Sequence, residues 1–511
     1  MATALGYSFL RDTFRLTAFR PPYPACVKPV TRVERKADGL AVPRSVAPST
    51  DDPLDHLLFA LKHEGTNLQI LAEALPHLDP GALQSALRRA PTGAYIRIAC
   101  FLWEQFTGRS LDDLPTIGGP TAPVFDPKRY VTRIGPRAAR WRVQFNGLGS
   151  LRYCATVERT PAIEAALNSD LLGRTRAFAI ALNPTLRERA LTWAYLHETE
   201  SSFAIEHEAV SEDKARAFAR LLRQAHDPRP LSEAVLAELQ SSVLTNPLDR
   251  AVAYRTEQNW LRGPLRGAAA ITYLPPPPDL LPDLMAEWVA FVQSAPTAID
   301  PLVAASIASF GFVFLHPFLD GNGRLSRFAF HQALCRSGRL ADGWLLPVSV
   351  AMKKHESDYL AVLQAYSRPL RERWSVLWID ADQYEMTFQG HPGLYRYWDA
   401  TECVAFGYRM AEQALETELR QETDFLSRYD RIIQSVGARF DVRGSDLATL
   451  VVSCLDQQGR ISQNRRKQFA GRVPDGLFAA IELCAREGVR EGVADNGTES
   501  QSDRNPPLFP R

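Results

Sequence analysis

A charge-free apolar stretch of fifteen residues, Pro301–Leu315, ends shortly before a polar segment that contains two glycines. The stretch is shorter than the roughly 20 apolar residues that a membrane-spanning helix needs. A run of this length and composition is typical of a helix that is buried on all sides. We therefore predict a globular protein, with no membrane span, whose core surrounds this helix.

Composition and charge further limit the classes of protein and of partner that fit this sequence. The chain has 511 residues, 45% hydrophobic and 23% charged, so about three globular domains are expected. The formal charge of +1 gives no broad basic field for nucleic acid or an anionic membrane, and we expect neither as a partner. The seven cysteines form no Cys-x-x-Cys pair, and arginines interrupt the place of a secretory apolar core. These features predict a cytoplasmic protein with reduced thiols.

Helical periodicity predicts a mostly α-helical fold in five segments. Residues 1–50 are rich in Pro and Arg and are predicted to be extended or poorly ordered. Residues 51–150 form an N-terminal helical domain, 151–384 the central core, and 385–490 a C-terminal helical domain. Residues 491–511 are polar and proline-containing, which is typical of a disordered tail.

Two local patterns refine this picture. Asp79 before a proline and Ser211 before an amphipathic run are both predicted to cap helices. The helix, turn, helix rhythm of residues 68–89 is compatible with a DNA-reading unit, but tight pairs of packed helices are common in all-α domains. Packing is the interpretation we favour there.

The segment that follows the apolar stretch carries the chemistry. A glycine-containing turn at a helix start gathers backbone N–H groups into one concavity, to which the helix dipole adds positive potential. Two arginines three residues apart lie on one helix face, so both guanidinium groups reach the anion held there. The sequence predicts a polyphosphate site made by Gly321, Asn322, Gly323, Arg324 and Arg327.

Two further side chains complete this constellation. Asp320 lies beside the predicted phosphate site, where Mg²⁺ between carboxylate and phosphate oxygens would remove their repulsion. His316 precedes the turn by five residues, and an imidazole is suited to accept a proton from an attacking hydroxyl. Taken singly, each residue also suits a packed core or an ordinary turn. Their combination within twelve residues favours a catalytic site, because each polar group would otherwise need its own buried partner.

The segment from His316 to Arg327 resembles the signature of Fic-domain proteins, His-x-Phe-x-(Asp/Glu)-Gly-Asn-Gly-Arg-x-x-Arg, and matches it at every specified position. The likeness extends over roughly residues 190–400. It implies a Fic-type helical core with a β-hairpin flap, flanked by the two helical domains. It also implies protein adenylylation, in which AMP passes from ATP to a Tyr, Thr or Ser hydroxyl of a target protein in the presence of Mg²⁺.

The resemblance also implies residue roles. His316 is the general base, Asp320 holds Mg²⁺, and the three residues from Gly321 to Gly323 cradle the phosphates. Arg324 and Arg327 bind the β/γ end of ATP. Phosphate-transferring relatives such as the Doc kinase carry Lys at the place of Gly323, so the glycine favours AMP transfer. Upstream, the strand Ile271, Thr272 and Tyr273 before four prolines is similar to the flap on which a target docks as an added strand.

A second resemblance lies upstream of the signature. Ser202 and Glu206 match the inhibitory motif (Ser/Thr)-x-x-x-Glu-(Gly/Asn), in which the Glu pairs with the second Arg of the signature. Glu206 would then bind Arg327 and withhold it from the γ-phosphate. The chain departs from the motif at His207, where Gly or Asn is usual, which puts the strength of the inhibition in question. A Glu on a solvated helix face is the alternative.

The sequence leaves several alternatives open. The leading hypothesis is an Mg²⁺- and ATP-dependent protein adenylyltransferase restrained by Glu206 and acting on an unidentified protein, with self-modification and oligomerisation both open. A same-class variant transfers another nucleotide or removes AMP. A different class is a regulatory or toxin-antitoxin module that binds DNA through its N-terminal helices and senses nucleotide without transfer. That class predicts DNA retention with steep salt dependence and no labelled protein.

Overall fold

The computed structural model describes residues 4–209, 211–227, 229–244, 250–340, 343–380 and 383–495, with side chains as far as residue 486. The fold is mostly α-helical, as predicted. The first compact unit comprises residues 1–169, 202–343 and 352–409; the second comprises 170–201, 344–351 and 410–511. Each unit is made of several chain segments, so the units do not test a division of the chain into consecutive domains. The predicted boundaries near residues 50, 150, 384 and 490 therefore stay predictions.

The helices of the described residues follow one another in chain order. The N-terminal ones are α1 (Gly6–Phe14), α2 (Pro53–His63), α3 (Leu68–Ala74), α4 (Pro80–Arg89), α5 (Ala94–Thr107), α6 (Pro161–Asn168) and α7 (Leu171–Ala181). The central ones are α8 (Pro184–Ile205), α9 (Glu212–Arg223), α10 (Glu233–Val243), α11 (Leu281–Ala298), α12 (Pro301–Leu315), α13 (Asn322–Arg336), α14 (Val348–Lys354) and α15 (Glu356–Arg371). The last are α16 (Gly393–Arg396), α17 (Thr401–Gln413), α18 (Arg420–Gly437), α19 (Gly444–Asp456), α20 (Gln463–Phe469) and α21 (Leu477–Asp495).

The strands of the described residues are short and form small sheets. They are β1 (Ala25–Val27), β2 (Glu34–Lys36), β3 (Gly39–Val42), β4 (Ala122–Pro123), β5 (Arg137–Ala138), β6 (Val143–Gln144), β7 (Leu148–Gly149), β8 (Cys154–Thr156), β9 (Leu261–Arg262), β10 (Ile271–Tyr273), β11 (Trp374–Asp380), β12 (Gln383–Phe388) and β13 (Tyr397–Asp399). Three-stranded sheets have the orders β1-β3-β2, β4-β6-β5 and β13-β8-β7, and β9-β10 and β11-β12 are antiparallel pairs. In each of the three-stranded sheets, the first two strands named run parallel.

The N-terminal helices of the first unit share one apolar core. Leu57 of α2, Ile70 of α3 and Trp103 of α5 are buried in it, together with Phe125 from the following loop region. The side chain of Asp79 accepts hydrogen bonds from two backbone N–H groups of α4, as predicted for a helix cap. All but one of the α3 residues are buried, which agrees with packing rather than DNA reading as the role of residues 68–89.

The first fifty residues differ from the sequence prediction. Instead of a wholly extended or poorly ordered segment, they contain α1 and the strands β1 to β3. Tyr7 and Leu10 of α1 are buried, and the backbone N–H of Tyr7 donates to Glu64 2.9 Å away. This helix is stabilised by contacts far along the chain, which local periodicity does not reveal. The predicted tail, in contrast, lies largely outside the described residues.

The apolar helix α12 positions the polar segment. The carboxylate of Asp300 caps its N-terminus, and all its residues except Val313 are buried. It ends at His316, whose backbone is left-handed with φ 49°. Helix α13 then starts after Gly321, at φ 82°, a conformation that glycine adopts without steric cost. A short loop of the first unit, residues 316–321, thus joins the two helices.

The second unit has its own C-terminal core. It is made by apolar side chains of α18, α19 and α21, among them Ile432, Leu450, Val451 and Ile481. Within the described residues, no helix of either unit combines the length and the hydropathy that crossing a bilayer requires.

Candidate active site

His316 lies in the loop between α12 and α13 with one ring nitrogen free. Its Nδ1 lies 3.2 Å from the carbonyl oxygen of Val313. Because a carbonyl oxygen only accepts, this contact assigns the ring proton to Nδ1 and leaves a lone pair on Nε2. Burial lowers the pKa of His316 to about 4, so the ring is neutral near pH 7. The imidazole is therefore in the form that accepts a proton.

The turn of residues 321–323 opens the first turn of α13. The N–H groups at a helix start have no acceptor within the helix, and the helix dipole makes this end positive. The side chain of Asn322 does not face outward, because its Oδ1 accepts from the Phe318 N–H at 3.0 Å and its Nδ2 donates to the Phe318 carbonyl at 2.7 Å. Any contact of Asn322 with an anion is left to its backbone.

The two arginines of the segment are both buried. The side chains of Arg324 and Arg327 are 1% and 2% exposed. Arg324 Nε and Nη1 make no hydrogen bond, although oxygens of Glu206 and Glu208 lie 3.4 Å away, because those contacts are poorly aligned. Buried donors without acceptors are costly. Arg324 therefore presents unsatisfied donors at the helix start.

Arg327, in contrast, is fully engaged by the upstream segment. Its Nη2 lies 2.6 Å from Glu206 Oε1 and 2.9 Å from the Ser202 carbonyl, while its Nε donates to the Ser202 hydroxyl at 2.5 Å. A methyl group added to Gly323 would lie 1.9 Å from Glu206 Oε1. The Glu206 carboxylate thus covers the glycine turn and holds the guanidinium of the second arginine.

The end of α8 fixes where Glu206 points. The N–H of Glu208 donates to the Phe203 carbonyl and the N–H of His207 to the Ala204 carbonyl, which is the Schellman pattern of a helix end. His207 occupies the left-handed position of this turn, at φ 55°. Glycine and asparagine favour that position, so their usual presence in the motif has a physical reason. Here histidine adopts the same conformation.

Arg255 is a site residue that the sequence did not indicate. It is 6% exposed, and its guanidinium donates to the His316 carbonyl at 3.0 Å and to the Pro276 carbonyl at 2.6 Å. Its backbone N–H donates to the Pro317 carbonyl at 2.9 Å. Arg255 therefore connects the loop of the imidazole with the segment after the predicted flap.

Two amide side chains hold the rest of this loop. Asn259 Nδ2 donates to the Phe318 carbonyl at 3.1 Å, and Gln240 Nε2 donates to the Asp320 carbonyl at 3.2 Å. A single arginine, asparagine and glutamine spread over twenty residues give no sequence signal. They are identified only from the structure, which shows that their side chains donate to backbone carbonyls of the loop.

The predicted flap is a short antiparallel ladder. β10, made of Ile271, Thr272 and Tyr273, pairs with β9. Ile271 and Tyr273 are buried and Thr272 is exposed. The Tyr273 hydroxyl donates to the carbonyl of Phe314 near the end of α12. The ladder is thereby tied to the helix that carries the imidazole.

Asp320 is the carboxylate at this site that could hold a metal ion. Its side chain is 51% exposed, and Oδ1 accepts from the Gly321 N–H at 2.5 Å and lies 3.2 Å from Arg324 Nη2. No cluster of three or more His, Cys, Asp or Glu in the described part of the chain could hold a metal on its own. Mg²⁺ at nucleotide sites is commonly held by one or two carboxylates together with substrate phosphates. One exposed carboxylate therefore fits an ion that arrives with a nucleotide.

The chain is a mostly α-helical protein that brings together a neutral imidazole, a helix start and two buried arginines. Comparison of the sequence with known families gives this class a name. Residues 230–334 match the model of the Fic/DOC family.

Individual relatives match over limited lengths. The protein adenylyltransferase fic-1 of Caenorhabditis elegans is 29% identical over 220 residues, which are 41% of this chain and 37% of that protein. The Caenorhabditis briggsae protein of the same name is 33% identical over 92 residues, 18% of each chain. The chain thus spans well under half the length of these relatives. A solved Fic family protein from Desulfovibrio desulfuricans G20 covers 68% of this chain and 94% of its own, with 20% identity and a TM-score of 0.37.

Proposed function

We propose that this chain is a protein adenylyltransferase, which transfers AMP from ATP to a hydroxyl side chain of a protein, and that Glu206 holds it in an inhibited state. The observation that carries the proposal is the neutral His316 imidazole beside a helix start with two buried arginines. The names of the C. elegans and C. briggsae relatives support the same activity.

In the proposed reaction the hydroxyl oxygen of the target attacks the α-phosphorus of ATP. His316 Nε2 accepts the hydroxyl proton, a new oxygen–phosphorus bond forms, and the bond from the α-phosphorus to the bridging oxygen breaks. Pyrophosphate carries the released electron pair away. Backbone N–H groups of the α13 start and Arg324 bind the phosphates, so positioning and charge stabilisation supply most of the rate. Asp320 would hold Mg²⁺, which neutralises phosphate charge when bound.

Gly323 supports transfer of AMP rather than of phosphate. Its missing side chain leaves space above the helix start, and this space is the one that Glu206 occupies. A Lys at this position would collide with Glu206 as it is placed. We infer that the β/γ end of ATP and the Glu206 carboxylate compete for one region of the site.

This competition is the basis of the proposed inhibition. Arg327 already has a carboxylate, a hydroxyl and a carbonyl as acceptors, so a γ-phosphate must displace Glu206 to reach it. Charge-assisted bonds to a buried guanidinium are strong enough to compete with phosphate. ATP would then bind without reaching the productive arrangement.

The proposed target docks on the flap. An extended segment that pairs with β10 gains main-chain hydrogen bonds without a strict sequence requirement. The target protein remains to be identified, and the chain itself is the first candidate because it is always present.

The decisive test is autoradiography of the purified chain with ATP labelled at the α-phosphate and Mg²⁺. We expect a labelled protein band that is lost in His316→Ala and kept in His331→Ala, a matched change of a histidine within α13. Label from the γ-phosphate instead would show phosphate transfer. Parallel reactions with α-labelled CTP, GTP and UTP test the nucleotide. No label from any nucleotide with a folded chain would contradict the proposal.

The inhibition has a separate test. Glu206→Gly is expected to raise self-labelling on the order of tenfold, because about 1.4 kcal/mol of competition corresponds to that factor. Glu200→Gln changes an exposed glutamate of the same helix and should leave labelling unchanged. Equal labelling of Glu206→Gly and the unmodified chain would contradict inhibition while leaving the transferase intact.

A further inference from the structure

A cleft formed by described residues of the first unit has a volume of about 900 Å³. None of residues 316–327 lines it. This volume is within the range of small-molecule sites, roughly 300–1,000 Å³. Its walls include the aromatic rings of Phe19, Tyr23, Tyr366, Tyr397 and Trp398. Because it collects carboxylates and guanidiniums in two sets, we call it the two-charge cleft.

The first set consists of carboxylates. Asp399 lines the cleft and is exposed to solvent there. Desolvation by the protein atoms around it raises the pKa of Asp399, and the charges of Glu158 and Glu402 raise it further. Glu158 is paired with Arg35 at 2.9 Å and with Arg129 at 3.3 Å, whereas Asp399 and Glu402 form no ion pair among the described residues. Negative charge is therefore left over at this end.

The buried side chain of Glu64, which also lines the cleft, has one carboxyl oxygen without a hydrogen bond. Its Oε1 accepts from the Tyr7 N–H, but its Oε2 has no hydrogen bond. Burial raises the pKa of Glu64 to about 8. An unsatisfied buried carboxyl oxygen on the wall of a cleft is costly unless a ligand supplies the missing partner.

The second set consists of guanidiniums. Burial lowers the pKa of Arg11, and the charges of Arg20 and Arg373 lower it further. None of these three arginines forms an ion pair within the described part of the chain, and Arg373 Nε has no hydrogen bond. Like-charged guanidiniums around one space are an arrangement that an anion stabilises. The carboxylates that raise the pKa of Arg11 are those of Asp12 and Glu73, which do not line the cleft, and not those of the first set.

We propose that the two-charge cleft binds an elongated zwitterion with an apolar body, such as a short peptide. Its ammonium group faces Asp399 and Glu402, its carboxylate faces Arg11, Arg20 and Arg373, and its body lies against the aromatic walls. A bound zwitterion supplies an opposite charge to both sets, whereas a simple cation or a simple anion supplies one to a single set. The site is independent of the proposed AMP transfer.

The test is isothermal titration calorimetry of the full chain with three tripeptides. The uncapped peptide Ala-Phe-Ala is a zwitterion, its N-acetylated form keeps only the carboxylate, and its C-amidated form keeps only the ammonium group. We expect each cap to weaken binding about tenfold, as expected for the loss of a charge-assisted contact.

Variants assign each end of the ligand. Asp399→Asn should weaken the uncapped and amidated peptides about tenfold and spare the acetylated one. Arg20→Gln, a change of an exposed side chain that should not disturb folding, should show the reverse pattern. Arg439→Gln, an exposed arginine of the second unit, serves as the matched control and should change nothing.

Three outcomes would overturn the inference. The first is no heat from the uncapped peptide at millimolar concentration, and the second is equal affinity for all three peptides. The third is that the Asp399 and Arg20 variants each weaken the acetylated and the amidated peptide to the same extent. A circular dichroism spectrum like that of the unmodified chain establishes that each variant is folded. Because no nucleotide is present, these outcomes do not depend on whether the chain transfers AMP.

Discussion

The nucleotide site and the two-charge cleft both gather buried or half-buried arginines, but they neutralise them differently. In the nucleotide site the chain supplies its own counter-charge, since Glu206 lies 2.6 Å from Arg327. In the cleft, Arg11, Arg20 and Arg373 form no ion pair with described residues. The first arrangement suits a site that is closed until its internal partner leaves. The second suits a site that is ready for a ligand from outside.

This difference has an energetic side. A buried ion pair barely offsets the cost of desolvating two charges, yet removing one partner leaves the other uncompensated at a cost of about 3–5 kcal/mol. Glu206 and Arg327 therefore stabilise each other strongly. A phosphate that binds Arg327 takes the place of Glu206 as its partner. Arg11, Arg20 and Arg373 of the cleft have no such ion-pair partner among the described residues, although Arg11 Nε donates to the Ala18 carbonyl at 2.8 Å.

The largest expected effect compares one substitution in both places. Arg327→Gln should lower the free energy of unfolding by about 3 kcal/mol, because it leaves Glu206 and the Ser202 carbonyl without their partner. Arg20→Gln should change it by less than about 0.5 kcal/mol, because Arg20 is exposed and forms no ion pair with described residues. Urea denaturation of both variants measures this. Equal losses would remove the distinction between the two sites.

The next effect concerns activity rather than stability. Arg255→Ala should lower the kcat of AMP transfer on the order of a hundredfold, because misplacement of a reacting group by about 1 Å has that cost. The KM for ATP should change little, since Arg255 binds the His316 carbonyl and none of the groups proposed to contact phosphate. Self-labelling rates at several ATP concentrations separate the two parameters.

Two comparisons sharpen the assignment of Arg255 as a positioning residue. Arg255→Lys should recover part of the rate, because it still donates to one carbonyl. Peptide binding in the two-charge cleft should stay unchanged in both variants. A rise in KM with unchanged kcat would assign Arg255 to ATP binding instead.

A smaller effect depends on pH and belongs to the cleft. Glu64 has a folded-state pKa of about 8, above its ordinary value of 4.5. Between these values the folded chain keeps a proton that the unfolded chain has released, so the free energy of unfolding falls as the pH rises. Glu64→Gln does not titrate and should gain stability relative to the unmodified chain by up to about 1 kcal/mol per pH unit. Urea denaturation between pH 5 and pH 9 measures the difference, which should level off above pH 8; a constant difference would show that Glu64 is ionised when folded.

How far the sequence predicts each region follows from how its residues are distributed. The nucleotide site is carried by twelve consecutive residues, and the structure places His316, Asp320 and Arg324 around one helix start. Ser202 and Glu206 lie more than a hundred residues upstream, yet the resemblance to the inhibitory motif already implies the contact of Glu206 with Arg327. The contact of Ser202 with Arg327 is seen only in the structure. The side chain of Asn322 closes the loop, which leaves its backbone N–H for the predicted phosphate contact.

The two-charge cleft shows the opposite case. Its charged residues come from distant parts of the chain, such as Arg11, Glu64, Glu158 and Asp399. No local spacing relates them, and helix α1 itself escaped prediction because it is stabilised by contacts such as that of Tyr7 with Glu64. A site assembled by tertiary contacts becomes visible only when burial shows which charges remain without partners. Arg255 went unpredicted for the same reason.

The smallest effect tests how firmly the internal counter-charge is held. His207 adopts φ 55° at the end of α8, a conformation that costs a non-glycine residue about 1 kcal/mol. His207→Gly should remove this cost, raise the free energy of unfolding by up to about 1 kcal/mol and lower basal self-labelling a few-fold, because the turn then holds Glu206 more firmly. His207→Ala keeps the backbone cost and serves as the matched control. Its imidazole lies 3.4 Å from Glu356, but the side chain is 77% exposed and such a pair contributes little. If the glycine and alanine variants label alike, the helix end does not set the strength of the inhibition, and the pairing of Glu206 with Arg327 alone must account for it.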